Sequence, residues 1–116
     1  MIDVYSVDVT TQAEAQVEEL LHYITWELKS VDAALHLLSD LEDAISSLSQ
    51  FPQRIALTEE EPWCSYGIRK MSVGNFLIYF WIDKEHHNVQ ITSVIYARRE
   101  RVRQLTKMNL FSKHSF

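Results

Sequence analysis

Cysteine is nearly missing from this sequence. Cys64 stands alone, so no disulfide can close within the chain, and stability has to come from packing. A lone thiol becomes a nucleophile only beside a base, and none is evident near Cys64, which reads as a bystander in a loop. Two glycines and two prolines leave little room for long flexible linkers. No apolar run approaches the length of a membrane span. The opening "MIDVYSVDVTT" places Asp3 where a secretory leader carries a basic start. These absences predict a cytoplasmic chain with no membrane association. No internal repeat is present. Metal-ligand spacing is lacking too: His86 and His87 are adjacent on a predicted turn and point to opposite sides, and His22 and His36 have no evident ligand partner on their helices. No metal or other cofactor is expected.

Basic residues are scarce in the first half. Residues 1–65 hold two basic side chains (Lys29 and Arg54) against thirteen acidic ones, a net −11; residues 66–116 hold nine against three, a net +6. The overall charge of −5 conceals this opposition. Four arginines, Arg98, Arg99, Arg101 and Arg103, fall within six positions. Surface ion pairs contribute about 0–1 kcal/mol each, so stability is a weak reason for such a cluster, and a surface for an acidic partner is the better one.

What is present suits one domain over residues 1–116, with residues 107–116 as a tail: 47% hydrophobic and 23% charged residues are ordinary for a globular chain. "MIDVYSVDV" alternates and predicts a strand. Thr11 and Glu14 form a candidate capping box. Ala13, Val17, Leu20, Leu21, Ile24 and Leu28 then recur at helical spacing over 11–29. Ser30 can cap a second helix, with Asp32 at its positive end and an apolar stripe of Ala34, Leu35, Leu38, Leu41, Ile45 and Leu48. A connection this short predicts an antiparallel helical hairpin. Trp26 continues the helical pattern and reads as packing, while Trp63 in the loop is left open. Pro52 stops the second helix. "QRIALTEEEPWCS" reads as a long loop with Glu59, Glu60 and Glu61 solvated.

From Tyr66 the pattern becomes that of strands. "YGIRKMSV" and "FLIYFWI" flank Gly74-Asn75, a two-residue hairpin turn. That turn pairs Val73 with Phe76, Met71 with Ile78 and Lys70 with Tyr79. Lys70, Tyr79 and Trp81 then share one face, and Arg69 falls on the other with Met71 and Phe80. The seven apolar residues Phe76–Ile82 predict a central strand covered on both faces. "VQITSVIYA" is a further strand, and the arginine-rich stretch after it starts a short helix. The fold class is α+β: an N-terminal strand, an antiparallel helical hairpin packed on a mainly antiparallel four-stranded sheet, and a short C-terminal helix, in the order β-α-α-β-β-β-α.

Four stretches, "YSVDVTTQAEAQVEELLHYI", "LLSDLEDAISSLSQFPQR", "GIRKMSVGNFLIYFWID" and "VQITSVIYARRERVRQL", taken in this order resemble the RelE/ParE superfamily of toxins from bacterial type II toxin–antitoxin modules. The resemblance covers about residues 2–106. It implies a growth inhibitor, of a kind associated with plasmid stabilization, held inactive by a cognate antitoxin. The target would be the ribosome, with cleavage of its mRNA, or DNA gyrase. Operator DNA would be reached only through the antitoxin. An alternative is a non-catalytic or attenuated member that only binds its antitoxin.

Metal-free RNA cleavage needs a base, cations for the developing pentavalent phosphate, and an acid for the leaving oxygen. In the matching segments the candidates are Arg69, Lys70, Tyr96, Arg98 and Arg99; Arg98, Arg99, Arg101 and Arg103 are the candidates for partner binding. The sequence departs from the ribosome-dependent members in two places. Leu77 stands where those usually carry an arginine, and Tyr96 stands where some place a histidine. Both departures weaken the nuclease reading, and Leu77 tilts it toward a toxin that binds without cutting or toward an attenuated one.

Overall fold

The structure, a computed structural model, describes residues 4–97. The elements run β1 (Ser6–Val9), α1 (Thr11–Trp26), α2 (Val31–Ser47), a 3-10 turn (Pro52–Arg54), β2 (Arg69–Val73), β3 (Phe76–Asp83) and β4 (Asn88–Tyr96). The strands form one sheet in the order β1-β4-β3-β2, with β1 parallel to β4 and the other two pairings antiparallel. This is the predicted α+β arrangement. The predicted C-terminal helix and the tail lie outside the described residues.

Each helix begins on a side-chain cap. Ser30 accepts from the Ala33 amide at 3.1 Å, as its sequence position implies. For α1 the cap is Thr10, which accepts from Ala13 N at 3.2 Å, one residue before the predicted Thr11. Two adjacent threonines offer the same hydroxyl, and the chain uses the one still extended after β1. The helix closes at Trp26 rather than residue 29, because Lys29 takes a left-handed φ of +54° to turn the chain into α2. Three apolar side chains near this hairpin tip depart from expectation: Trp26 is 66% exposed, Leu35 60% and Leu28 40%. Helical spacing alone does not say which turns of an apolar stripe are covered.

One face of the sheet meets the helices, with α1 packed on β4 and α2 reaching β2. From β3 come Phe76, Ile78, Phe80 and Ile82, and from β4 Val89, Ile91, Val94 and Tyr96, all buried against Leu20, Leu41 and Leu48. Each such side chain contributes about 1.5–3 kcal/mol by leaving water. In β4 the buried positions skip a beat between Ile91 and Val94. A bulge at Thr92 repairs it: Tyr79 opposes Ser93 while Phe80 opposes Ile91. The extra residue is held by Thr92 Oγ1 donating to Tyr79 O at 3.1 Å. The Val94 amide donates to Gln16 Oε1 of α1 at 2.9 Å.

The β2–β3 register is as the Gly74-Asn75 turn requires, with Val73 opposite Phe76, Met71 opposite Ile78 and Lys70 opposite Tyr79. Gly74 supplies φ +56° at the first turn position, where a two-residue hairpin loop favours glycine. The second face of β3 is covered by the loop before β2 rather than by helices, and only in part: Trp81 remains 41% exposed.

Candidate functional site

The open face of the sheet carries Lys70 and Ser72 from β2, Leu77, Tyr79 and Trp81 from β3, and Ser93 and Ile95 from β4. The segment 56–68 curls over it and is pinned to β2. Thr58 N donates to Ile68 O at 2.9 Å, Lys70 N to Ala56 O at 3.3 Å, and Leu57 bridges Arg69. Beyond Thr58 the chain winds through turns held by Cys64 N to Glu60 O (2.8 Å) and Ile68 N to Trp63 O (3.0 Å). Glu61 braces them by accepting from Ser65 N at 2.9 Å and Ser65 Oγ at 2.5 Å. Gly67 takes φ +83° to re-enter the sheet and lets the Trp81 indole lie 3.6 Å from where a Cβ would sit.

At the centre of this arrangement is Glu60. One carboxylate oxygen, Oε1, accepts from Thr58 Oγ1 at 2.8 Å, Tyr79 Oη at 3.0 Å and Lys70 Nζ at 3.2 Å. Those donors, Thr58 foremost, hold the Glu60 carboxyl below its ordinary range. Tyr79 is pushed up to about 12, first by burial and then by its bond to the Glu60 carboxylate. Thr58, 1% exposed, is the buried polar side chain among the described residues, so the hub is anchored from below. Glu59, Glu60 and Glu61 are exposed, as expected, but Glu60 and Glu61 also accept hydrogen bonds that shape the loop. No spacing rule tells which of three consecutive glutamates engages the sheet. The Thr-x-Glu step before Pro62 was the available signal.

Beside the hub lies a cavity of about 430 Å³. Trp63, Tyr66 and Tyr79 form its aromatic walls, and Ile68 and Ile95 an apolar side. Glu60, Gln12, Thr92 and Ser93 bring oxygens to it. Trp63 and Tyr66 meet edge to face at 6.3 Å and are 50% and 65% exposed. Trp63, left open by the sequence, thus belongs to a wall. Among the described residues no group of three histidine, cysteine or acidic side chains is placed to hold a metal ion.

Of the candidates named from sequence, the three among the described residues, Arg69, Lys70 and Tyr96, do not meet. Arg69 lies on the helix-covered side, where its guanidinium donates to Ile55 O at 2.5 Å and, more weakly, to Gln53 O at 3.4 Å. Tyr96 is 8% exposed on that same side, stacked on Phe76 at 4.9 Å. Arg69 opposes Phe80 and Tyr96 opposes Phe76. Four residues along β3 and two strand spacings separate them by roughly 17 Å. Lys70 is on the opposite face, bonded to Glu60. Leu77 is on the open face with Tyr79 and Trp81. Arg98, Arg99, Arg101 and Arg103 lie outside the described residues. His86 contacts Asp83 at 2.8 Å, and the His87 ring lies 5.0 Å from that of Tyr5.

The family model described as "ParE toxin of type II toxin-antitoxin system, parDE" matches residues 7–101. No curated protein sequence matches the chain. Among solved structures, the chain is similar to one from the chromosomal ParDE system of P. aeruginosa. The TM-score is 0.63 at 20% identity, over 81% of this chain and 97% of that one. It is also similar to one from the RelBE2 toxin–antitoxin complex of Mycobacterium tuberculosis, with a TM-score of 0.58 at 22% identity over 80% and 91% of the two chains. Identities this low carry the fold alone. Among the described residues no helix is long and apolar enough to cross a membrane.

Proposed function

The chain belongs to the ParE toxin family of type II toxin–antitoxin systems, and from that premise we propose that it is a cytoplasmic growth inhibitor, neutralised by a cognate antitoxin, that works by binding its target rather than by cutting RNA. DNA gyrase is the target that fits this mode. One observation supports binding over cleavage: Arg69 and Tyr96 are on one side of the sheet and Lys70 on the other. A base, a cation and an acid must reach one phosphate together, within hydrogen-bond distance of the atoms they serve. Here the Arg69 guanidinium is engaged by a backbone carbonyl, Lys70 by Glu60, and Tyr96 is packed on Phe76.

The antitoxin contacts the Arg98, Arg99, Arg101 and Arg103 segment through an acidic stretch, and operator DNA is engaged only through the antitoxin. The charge opposition along the chain supports this pairing. Induction of the chain in a susceptible cell, with and without its antitoxin, tests the proposal. Growth arrest with a DNA-damage response, relieved by the antitoxin, is the expected outcome. Exchanging Arg98 and Arg99 for glutamate weakens the complex in the same experiment. Unimpaired growth would leave only an inert antitoxin-binding chain, and arrest accompanied by cut transcripts would reinstate the ribosome as target.

A further inference from the structure

The cavity on the open face combines three features that suit one kind of side chain. Its walls are the rings of Trp63, Tyr66 and Tyr79, whose faces attract a cation. Its apolar side, Ile68 and Ile95, matches a run of methylenes. Glu60 offers a carboxylate on which all three donors use Oε1, leaving Oε2 without a partner among the described residues. The Glu60 side chain is 52% exposed, so that oxygen is reachable. An aliphatic stem ending in a planar cation satisfies all three features, and guanidinium does so better than ammonium because it stacks on rings and donates in a fork.

Charge argues for one partner over another. Glu60 lines the cavity, Glu59 and Glu61 flank it in sequence, and among the described residues of this loop and the adjoining strand face the cation is Lys70, which Glu60 already engages. A phosphate backbone would be repelled there, and a cationic peptide drawn in. The volume of about 430 Å³ exceeds one side chain, so the flanking backbone of a peptide can enter with it. We propose that this cavity is a cage for an arginine side chain presented by the antitoxin. The proposal rests on the reading of the chain as an antitoxin-bound toxin. It gives the antitoxin two electrostatic demands, an acidic stretch for the arginine-rich segment and one arginine for the cage.

The test titrates the full chain with Nα-acetyl-arginine N-methylamide and follows the Trp63 indole resonance, assigned by Trp63→Leu. The citrulline and lysine counterparts and a short single-stranded RNA serve as competitors. The expected result is saturable movement of the Trp63 signal by the arginine probe, with citrulline about tenfold weaker because it carries no charge. Glu60→Gln weakens the probe by about the same factor. Tyr66→Leu, at a ring 65% exposed, weakens it several-fold, which keeps the test open if Glu60→Gln disturbs the loop. In the purified toxin–antitoxin complex the probe no longer moves Trp63. No response to arginine, an equal response to citrulline, or a stronger response to RNA would overturn the cage. A complex that forms normally yet leaves Trp63 responsive would overturn the antitoxin as its occupant. A chain that forms no complex with its antitoxin would instead overturn the functional reading beneath.

Discussion

Replacing Glu60 by glutamine removes the charge on which Thr58, Tyr79 and Lys70 converge, and the effect is readable at Tyr79. The phenol oxygen lies 3.0 Å from Glu60 Oε1. Ionising Tyr79 therefore places two negative charges almost in contact. At that distance a water-like dielectric gives a repulsion of about 1.4 kcal/mol, equivalent to about one pH unit. A value several times larger, appropriate to a dry interior, is excluded because the Glu60 side chain is 52% exposed. Tyr79 starts at about 12, with burial as the leading cause and Glu60 second. Glu60→Gln should then lower its midpoint by about one pH unit and leave burial holding the remainder above the ordinary value. Carbon-13 labelling of the tyrosine ring carbon that bears the hydroxyl, with assignment by Tyr79→Phe, resolves this residue from the other four tyrosines. An unchanged midpoint in Glu60→Gln would refute the hub as drawn.

Further outcomes follow from the same geometry. Thr58→Val keeps shape and loses the hydroxyl donor to Glu60, so denaturant unfolding should show a loss of about 1 kcal/mol. Arg69→Met leaves the Ile55 carbonyl without its charged donor and should cost about 1–3 kcal/mol by the same measurement, with Arg69→Lys recovering part of it. Acid should act through Glu60. Its carboxyl is lowered by folding from an ordinary 4.5, so the stabilisation is complete above that value and lost as pH falls through the folded one. The stability gap between the native chain and Glu60→Gln should accordingly close in acid, as thermal melts across that range would record.

The strand register was legible because a two-residue turn admits one pairing, and Gly74-Asn75 names it. From that register alone came the separation of Arg69 from Lys70. The bulge at Thr92 was not legible: "VQITSVIYA" reads as one strand, and the skipped beat gains meaning only when Tyr79 is seen opposite Ser93. Trp26, Leu28 and Leu35 fit a helical pattern, yet all three stay exposed. Periodicity reports which face is apolar, not how far the neighbouring layer extends. The Glu60 hub escaped for another reason. It is made by a loop whose path depends on backbone bonds to β2, and no local spacing specifies those. Tyr79 and Lys70 were correctly placed on one face, but the carboxylate that joins them comes from ten residues before Lys70.

The proposed mode of action is binding without chemistry, and it leans on the division of Arg69 and Tyr96 from Lys70 between two faces of one sheet. The most direct measurement adds the purified chain to ribosomes translating a defined message and maps new 5′ ends by primer extension, with gyrase supercoiling assayed in parallel. The account predicts an intact message and inhibited supercoiling. New ends at the codon held in the ribosome, with gyrase unaffected, would contradict it.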